Sequence, residues 1–503
     1  MAAFEHDVAL RHDANAAQSA MSLTHPARRS GLRLTHPARR SGARLIATAA
    51  LVATLVAGGS VIAPSQLTQA ASAASPAQNT PPWAGPATIY EVNVRQFSST
   101  QNFDGVTAQL DRLKNLGVGI IWLMPIHPIG VTNRKGTLGS PYSVADYLGI
   151  NPAFGDAAAL HRLIDTAHSK GMHVILDWVA NHTAWNNPWA TSHKDWYLLD
   201  NSNNFQPPIG TDWTDVIQLN YANQAMREAM IAAMKFWVTD FKVDGFREDA
   251  AGMIPVDFWQ QAKAELLTTG RSLFMLAEDS ANLEFLNRAF SANYNWPGLS
   301  VLKRVAAGTA DKSDVISEIF NDTQNYPTGS FALNMLTNHD ENSWNGTVQH
   351  FYGSKEQALA ALTFTWPGMP LLYNAQETGL NKQLAFFEND PIVWNYASPL
   401  QTFYKKLIAL KKNNAALWAG AAGGSFAVVP SGNPKVLAFA RIKGSSKVFV
   451  AINLSSSAQK VSLKLGSKPQ RLYNFATGKL ETVPANKLIS LKNWTFSVYS
   501  TTR

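Results

Sequence analysis

From about residue 87 the chain alternates short apolar runs with longer stretches in which apolar residues recur every three or four positions. The short runs have the length and β-branched content of buried strands, and the longer stretches have the period of amphipathic helices. Glycines at positions 117 and 171 end two of these helices. The pattern predicts strands at 87–94, 120–125, 174–179, 243–247, 273–277, 333–337 and 370–374, and helices at 103–116, 157–170, 223–241, 256–267, 355–365 and 399–412.

This alternation approaches eight strand–helix units, although the sixth is indistinct between residues 289 and 328. Repeated βα units favour a parallel sheet, which eight units close into a (β/α)8 TIM barrel of the α/β class, here over residues 80–415. Segment 180–222, after the third strand, is too long for an ordinary loop and predicts a short inserted subdomain. Residues 416–503 alternate short runs with Gly and Ser turns and predict a C-terminal antiparallel β-sandwich.

The N-terminal 79 residues have a different composition. Residues 1–44 contain seven arginines and three acidic residues, 45–63 are uncharged and mainly apolar, and the small-residue string 70–74 follows. We interpret 1–44 as a disordered basic leader and 45–79 as the apolar and cleavage regions of a signal peptide. The protein is therefore expected to be secreted or at the cell surface. An uncleaved membrane anchor and a twin-arginine signal are the alternatives.

Composition narrows the classes of function. The 503 residues are 46% hydrophobic, which supplies a large core, and include no cysteine, so the fold contains no disulfide. The formal net charge is +8, and half of it belongs to the first 44 residues. The remainder has little net charge and no basic cluster, which argues against a nucleic-acid partner. No membrane partner is expected unless the leader is an uncleaved anchor.

Chemically capable side chains follow four of the predicted strands. In a parallel barrel the carboxyl ends of the strands share one rim, and that rim is where such folds place their chemistry. Retaining cleavage of a glycosidic bond needs two carboxyl groups roughly 5 to 5.5 Å apart, one as nucleophile and one as acid/base. Neighbouring barrel strands can supply that separation. The strand-end residues are Asp177 with Asn181 and His182, Arg247 with Asp249, Glu278, and His339 with Asp340.

The surroundings of these groups suggest opposite pKa shifts. Arg247 lies two residues before Asp249 on the same strand face, and we expect it to lower the pKa of that carboxylate and keep it ionised. Glu278 ends an apolar strand, and nearby negative charge is expected to raise its pKa toward that of an acid active at neutral pH. His182 and His339 lack metal-binding spacing, so no catalytic metal is expected.

Four segments resemble, in order, the signature sequences of the α-amylase family of glycoside hydrolases: DWVANH from Asp177, GFREDA from Gly245, AED from Ala277 and NHD from Asn338. The resemblance implies that Asp249 is the nucleophile, Glu278 the general acid/base and Asp340 the carboxylate that grips the distorted sugar. It also implies that Asp177 braces the site. The residues it implies as sugar contacts are Arg247, His182, His339 and Tyr142, the last as a stacking platform.

Two positions depart from the family pattern. Residues 250–253, Ala-Ala-Gly-Met, stand where many amylases have a Lys-His pair that shapes an outer subsite and helps to bind calcium. Gln218 stands where the family commonly has an acidic calcium ligand, and an amide weakens such a site. Asn181 remains a candidate calcium ligand. We therefore expect no cofactor for the chemistry and treat a structural calcium as doubtful.

The leading hypothesis is an exported hydrolase that cleaves α-glucosidic bonds, chiefly α-1,4, in starch-like glucans or maltodextrins through a covalent glycosyl-enzyme. A transglycosylase with the same residues and a non-catalytic glycan-binding barrel are the alternatives. A structural cap is expected of the C-terminal sandwich rather than a starch-binding module, because it offers few aromatic platforms. In the third loop, one or two tryptophans are expected to touch substrate and the others to form a small core: Trp178, Trp185, Trp189, Trp196 and Trp213.

Overall fold

The computed structural model describes residues 80–503. The predictions made for residues 1–79, the basic leader and the signal peptide, lie outside the described residues. Ten strands precede the C-terminal region, and eight of them form a closed parallel barrel in the order β1-β2-β3-β6-β7-β8-β9-β10. They are β1 (Ile89–Val92), β2 (Ile120–Leu123), β3 (His173–Trp178), β4 (His182–Ala184), β5 (Val216–Gln218), β6 (Gly245–Glu248), β7 (Phe274–Ala277), β8 (Ala292–Tyr294), β9 (Phe331–Asn334) and β10 (Met369–Tyr373).

Alternation along the strands decides which residues face the barrel interior. In β7, Phe274 and Leu276 belong to the interior cluster, whereas Met275 and Ala277 pack between strands and helices. Because the side-chain period of a strand is two, the next residue in phase with Phe274 is Glu278. In β1, Ile89 and Glu91 are likewise two positions apart and lie on the same, interior face of the strand. The barrel strands therefore aim their last in-phase residues at the axis, on the carboxyl rim.

The helices surround the barrel and bury their apolar faces against its outer surface. The predicted helix at 103–116 is wrong in one respect, because it is two helices separated at residues 108–109. Thr107 donates its hydroxyl hydrogen back to the Phe103 carbonyl at 2.8 Å, which competes with helix propagation. The helices are α1 (Val94–Phe97), α2 (Phe103–Thr107), α3 (Leu110–Leu116), α4 (Ala157–Ser169), α5 (Pro188–Ser192), α6 (Gln224–Thr239), α7 (Val256–Leu267), α8 (Phe285–Arg288), α9 (Trp296–Ala307), α10 (Lys312–Asn325), α11 (Val348–Tyr352), α12 (Glu356–Thr365) and α13 (Pro399–Asn413).

The indistinct sixth unit consists of β8 followed by α9 and α10. Its strand has three residues, Ala292–Tyr294, with asparagine in the middle, and so shows no apolar run in the sequence. Within segment 180–222, β4 and β5 pair in antiparallel fashion, with His182 opposite Gln218. This small element extends the carboxyl rim beside β3.

The C-terminal region is antiparallel. Six strands form one sheet in the order β11-β12-β13-β18-β15-β16, and β14 pairs with β17. These strands are β11 (Ser425–Val428), β12 (Val436–Lys443), β13 (Ser446–Asn453), β14 (Gln459–Lys464), β15 (Gln470–Asn474), β16 (Leu480–Val483), β17 (Asn486–Leu491) and β18 (Phe496–Ser500). The predicted fold class, a TIM barrel with a C-terminal sandwich, is confirmed.

Buried basic side chains join the two regions. Arg441 of β12 donates from Nη1 to the Thr365 carbonyl at 3.0 Å, at the carboxyl end of α12. Lys411 donates to the carbonyls of Gly368 and Leu417. Both side chains satisfy carbonyl groups that the regular hydrogen bonds of helices and strands leave unpaired. Within residues 80–503, no helix combines the length and apolar character needed to cross a membrane.

Candidate active site

The strand-end residues predicted from the sequence meet on one rim of the barrel. Arg247, on β6, lies at their centre and is fully buried. Its Nη1 donates to Asp177 Oδ1 at 2.8 Å and to Asp249 Oδ1 at 3.0 Å. Its Nη2 lies 2.9 Å from Glu278 Oε2, as an ion pair rather than an aligned hydrogen bond. One guanidinium thus joins three carboxylates from three strand ends.

The backbone after Asp249 supports Glu278. Ala250 has a φ of +44°, in the left-handed region that a residue with a Cβ seldom adopts. In this conformation its N–H donates to Glu278 Oε2 at 2.9 Å. The strained residue therefore fixes the orientation of one candidate catalytic carboxyl group directly beside the other, as is common at functional sites.

Asp177, which the sequence predicted to brace the site, accepts three hydrogen bonds from residues of the rim. Its Oδ2 accepts from Trp122 Nε1 at 3.1 Å and from the Tyr142 hydroxyl at 3.0 Å, while its Oδ1 accepts from Arg247. Tyr142 is in turn 2.8 Å from His339 Nε2. Because Tyr142 donates its proton to Asp177, its oxygen is free to accept from the imidazole. Asp177 thereby links the central arginine to the aromatic side of the site.

His339 is held as an imidazolium. Burial lowers its pKa, but the carboxylates of Asp340 and Glu91 outweigh this effect and raise the pKa to about 9. Its Nδ1 lies 2.5 Å from Glu91 Oε1, and its Nε2 lies 3.4 Å from Asp340 Oδ2. At neutral pH both ring nitrogens are therefore donors.

Asp249 and Glu278 share an unusual electrostatic environment. Burial raises the pKa of each to about 7, and Arg247 opposes that rise at both residues. The expectation of a lowered pKa for Asp249 is wrong, because removal from water costs more than the one guanidinium returns. The expectation of a raised pKa for Glu278 is met, with burial as its main cause and the charges of Asp249 and Asp340 adding to it. The two carboxyl groups form an interacting pair, because the charge of Asp249 raises the pKa of Glu278.

The hydrogen bonds distinguish the two members of the pair. Asp249 accepts an aligned, charge-assisted hydrogen bond from Arg247, which stabilises its anionic form. Glu278 accepts from a neutral backbone N–H and only faces the guanidinium. When the pair holds one proton, this difference favours Glu278 as its carrier and leaves Asp249 ionised.

His182 lies on β4 at the edge of the site, with Asn181 beside it. Burial lowers the pKa of His182 to about 4, so it is neutral at physiological pH. Asn181 Nδ2 lies 3.3 Å from His182 Nδ1, and the half-buried Trp213 ring packs edge-on to His182 at 5.5 Å. Of the five tryptophans in the third loop, Trp213 therefore lies beside a predicted sugar contact, whereas Trp178 and Trp196 are buried in the core.

The two candidate calcium ligands, Asn181 and Gln218, both carry neutral amides. Gln218 uses its side-chain oxygen to accept from the Ile209 N–H at 3.0 Å. In the described part of the chain, 80–503, no group of three or more His, Cys, Asp and Glu side chains is arranged to hold a metal ion. Calcium prefers several anionic oxygens, and this position offers neutral amides.

Sequence reasoning missed three residues that line the site: Glu91, Trp122 and Tyr294. Glu91 pairs with His339, Trp122 donates to Asp177, and Arg247 Nε donates to the Tyr294 hydroxyl at 3.2 Å. Each lies within a strand and not after it. The signal that could have found Glu91 is the charge itself, since a glutamate in a fully buried strand is rare unless paired.

Comparison with known proteins agrees with this geometry. The family model described as "Alpha amylase, catalytic domain" matches residues 94–415. Alpha-amylase MalA from Haloarcula japonica is 27% identical over 403 residues, which are 77% of this chain and 58% of that protein. A cyclomaltodextrinase from Geobacillus thermopakistaniensis is 26% identical over 431 residues, 79% of this chain and 70% of that protein. The chain thus spans between about half and about two thirds of the length of these relatives.

Two solved structures resemble the whole described region. A noncanonic maltogenic alpha-amylase from Thermotoga neapolitana has a TM-score of 0.74 at 27% identity, and the match covers 83% of this chain and 99% of that one. An alpha-amylase from Lactobacillus plantarum has the same TM-score and coverage at 30% identity. The family match extends across the barrel and all four strand-end segments, and the chain therefore belongs to the α-amylase family of glycoside hydrolases.

Proposed function

We propose that this chain hydrolyses α-glucosidic bonds, chiefly α-1,4, in maltodextrins or starch-like glucans, with retention of the anomeric configuration. The observation that carries the proposal is the placement of Asp249 and Glu278 on two nitrogens of the Arg247 guanidinium. Two carboxyl groups this close can act on the anomeric carbon and on the leaving oxygen of one bond. Retaining glycosidases use that arrangement.

In the first step, Asp249 attacks the anomeric carbon while Glu278 donates its proton to the glycosidic oxygen. The bond between the anomeric carbon and that oxygen breaks, and an ester forms between the sugar and Asp249. Because Arg247 holds Oδ1 of Asp249, Oδ2 is the attacking atom. Glu278 carries its proton on Oε1, since Oε2 accepts from Ala250.

In the second step, the Glu278 carboxylate takes a proton from water as the water oxygen attacks the same carbon. The ester breaks, and Asp249 leaves as a carboxylate. Glu278 is protonated again and the site returns to its starting state. Two displacements at one carbon give net retention.

The other predicted residues bind the sugar at which the bond is cleaved. Asp340 and the His339 imidazolium present an acceptor and a donor to adjacent hydroxyl groups, and His182 presents a neutral imidazole. The Tyr142 ring offers a face for stacking. Relatives named alpha-amylase, cyclomaltodextrinase and maltogenic amylase support maltodextrins as the substrate class.

Proton NMR of maltoheptaose cleavage tests the reaction and its stereochemistry together. We expect the α-anomer of the new reducing end to appear first and to mutarotate afterwards. The β-anomer appearing first would contradict retention. Product chains longer than seven units would show transfer to sugar acceptors and would count against simple hydrolysis. Glucan binding without cleavage would favour the non-catalytic alternative.

We further propose that the protein is exported. The support is the order of basic, apolar and small-residue segments within the first 79 residues. Expression of the full chain in a secreting host, followed by N-terminal sequencing of protein from the medium, tests this. A mature N-terminus near residue 74 is expected, and intact chain retained with the cells would contradict cleavage.

A further inference from the structure

An aromatic row leads outward from the candidate active site. Phe386, in the segment after β10, stacks on Tyr142 with ring centroids 6.0 Å apart and planes 10° apart. The same ring lies 6.3 Å from the ring of His339. Phe386 therefore continues the stacking face of Tyr142 away from the reacting groups.

Two more rings extend the row. Trp344 belongs to the π-helical turn Glu341–Asn345, which directly follows Asp340. Its ring lies 5.2 Å from Phe386 and 5.7 Å from Phe387. We call Tyr142, Phe386, Phe387 and Trp344 the aromatic wall.

Exposure increases along the wall from its inner to its outer end. Tyr142 is 9% exposed, Phe386 and Phe387 are half-buried, and Trp344 is 40% exposed. A set of rings that served only as a core would place its largest member inside. Here the largest ring is the most exposed of the four and lies next to a polar site, which is typical of ligand-binding surfaces.

The wall is fixed in place by hydrogen bonds between two rim loops. The Leu138 N–H donates to the Phe387 carbonyl at 3.0 Å, and the Thr137 N–H donates to Glu388 Oε1 at 2.9 Å. Arg95, buried in α1, donates from Nη1 to the carbonyls of Gly139 and Phe386. The loop that carries Tyr142 and the loop that carries Phe386 are thus joined before any ligand arrives.

We propose that the aromatic wall binds glucosyl units of an α-glucan beyond the unit held at Asp249, with Trp344 as its main stacking face. This inference rests on the proposed function. The occupant is the same glucan chain, because the wall begins at Tyr142, and sugar rings stack on aromatic faces with little dependence on their hydroxyl groups. Chain-length preference then depends on Trp344.

Three variants test this: Trp344→Ala, Trp344→Phe and, as a matched control, Tyr396→Ala. Tyr396 is 50% exposed, lies on the same loop as Phe386 and stacks on Trp394 instead of on the wall. The measurement is kcat/KM for maltoheptaose divided by kcat/KM for the shortest malto-oligosaccharide that the wild type cleaves. Loss of one stacking face should lower this ratio roughly fivefold to tenfold.

We expect the full decrease in W344A, a smaller decrease in W344F and the wild-type ratio in Y396A. Calorimetry of maltoheptaose in an E278Q background should show weaker binding for W344A. If W344A does not fold, W344F alone carries the test. A wild-type ratio in folded W344A or W344F would contradict binding of glucosyl units by the aromatic wall. It would not contradict the proposed hydrolysis. A wild type that cleaves no malto-oligosaccharide would overturn the proposed function itself.

Discussion

Nδ1 of His339 lies 2.5 Å from Oε1 of Glu91, although the two residues are 248 positions apart in the chain. Glu91 ends the interior face of β1, the first barrel strand, and His339 follows β9, the seventh. Together with Asp340, Glu91 raises the pKa of His339 to about 9 against the effect of burial. The charge of His339, a predicted sugar contact, therefore depends on Glu91, which lies on a different strand of the barrel.

Glu91→Gln should lower the pKa of His339 and reduce its protonated fraction at pH 7, since Asp340 alone then opposes the effect of burial. We expect kcat/KM on maltoheptaose to fall roughly tenfold to hundredfold at pH 7, through loss of one preorganised donor. The decrease should be smaller at pH 5, where the imidazole regains its proton. The measurement is the pH profile of kcat/KM, whose alkaline limb should move to lower pH.

The same pair gives a stability prediction with a definite sign. Because the folded pKa of His339 is raised, its stabilising contribution is fully present below its unfolded pKa of about 6.5 and is lost as the pH rises through about 9. The raised pKa of buried Glu91 shows that its own desolvation offsets part of this gain. Thermal unfolding of wild type and E91Q should differ more at pH 6.5 than at pH 9.5. Parallel Tm curves would contradict the coupling.

Asp249→Asn and Glu278→Gln should each lower turnover by at least about a thousandfold, while the protein stays folded. Both replacements keep the acceptor oxygen that now faces Arg247 or the Ala250 N–H, so the local geometry survives. Steady-state rates on maltoheptaose, with circular dichroism as the control for folding, provide the measurement. Near-normal turnover in either variant would refute the assigned roles.

The placement of the candidate catalytic carboxylates was predictable because the barrel repeats one rule at every strand. An apolar run ends, and the next in-phase residue emerges on the rim, as Phe274 and Leu276 lead to Glu278. Glu91 escaped that reasoning because it lies within its strand. Its burial follows from closure of the barrel, with Ile89 paired to Ile120 on one side and Leu371 on the other. The sequence pattern of a single strand does not predict the strand pairs that close the barrel.

The electrostatics and the loops were less accessible from the sequence. Arg247 was correctly placed beside Asp249, yet the sign of the pKa shift was wrong, because burial at a rim depends on every loop that covers it. Phe386 and Trp344 lie 42 positions apart, Phe386 in a loop and Trp344 in a short π-helical turn, and no sequence pattern predicts their contact. Hydrogen bonds such as that from the Leu138 N–H to the Phe387 carbonyl bring such loops together, and the spacing of apolar residues does not predict them.

The raised pKa of Glu278 predicts that its ionised carboxylate destabilises the substrate-free protein at alkaline pH. A group whose folded pKa lies above its unfolded value contributes stability below the unfolded pKa, near 4.3, which is lost as the pH rises through about 7. E278Q removes the ionised, largely buried carboxylate, so its Tm should exceed that of the wild type by about 2 to 4 °C at pH 8. At pH 4.5 the two should agree.

Glu284→Gln is the matched control for that experiment, because Glu284 is an exposed glutamate close in sequence to the site. Its Tm should follow the wild type at both pH values. A Tm of E278Q below that of the wild type at pH 8 would show that the ion pair with Arg247 outweighs the desolvation of Glu278. The pKa of Glu278 would then be lowered rather than raised.

Chelation should leave both activity and stability unchanged. The side-chain oxygen of Gln218 accepts from the Ile209 N–H, and Asn181 faces the neutral imidazole of His182, so the two candidate calcium ligands on this rim are neutral amides. We expect kcat and Tm to agree within error after dialysis against EDTA and after addition of millimolar CaCl2. The variant Gln218→Glu supplies a carboxylate and tests the same argument in reverse: it should gain a calcium-dependent rise in Tm if the amide is what excludes the ion. A wild-type Tm that rises with calcium and falls with EDTA would show that backbone and amide oxygens suffice, and would overturn the proposal of calcium independence.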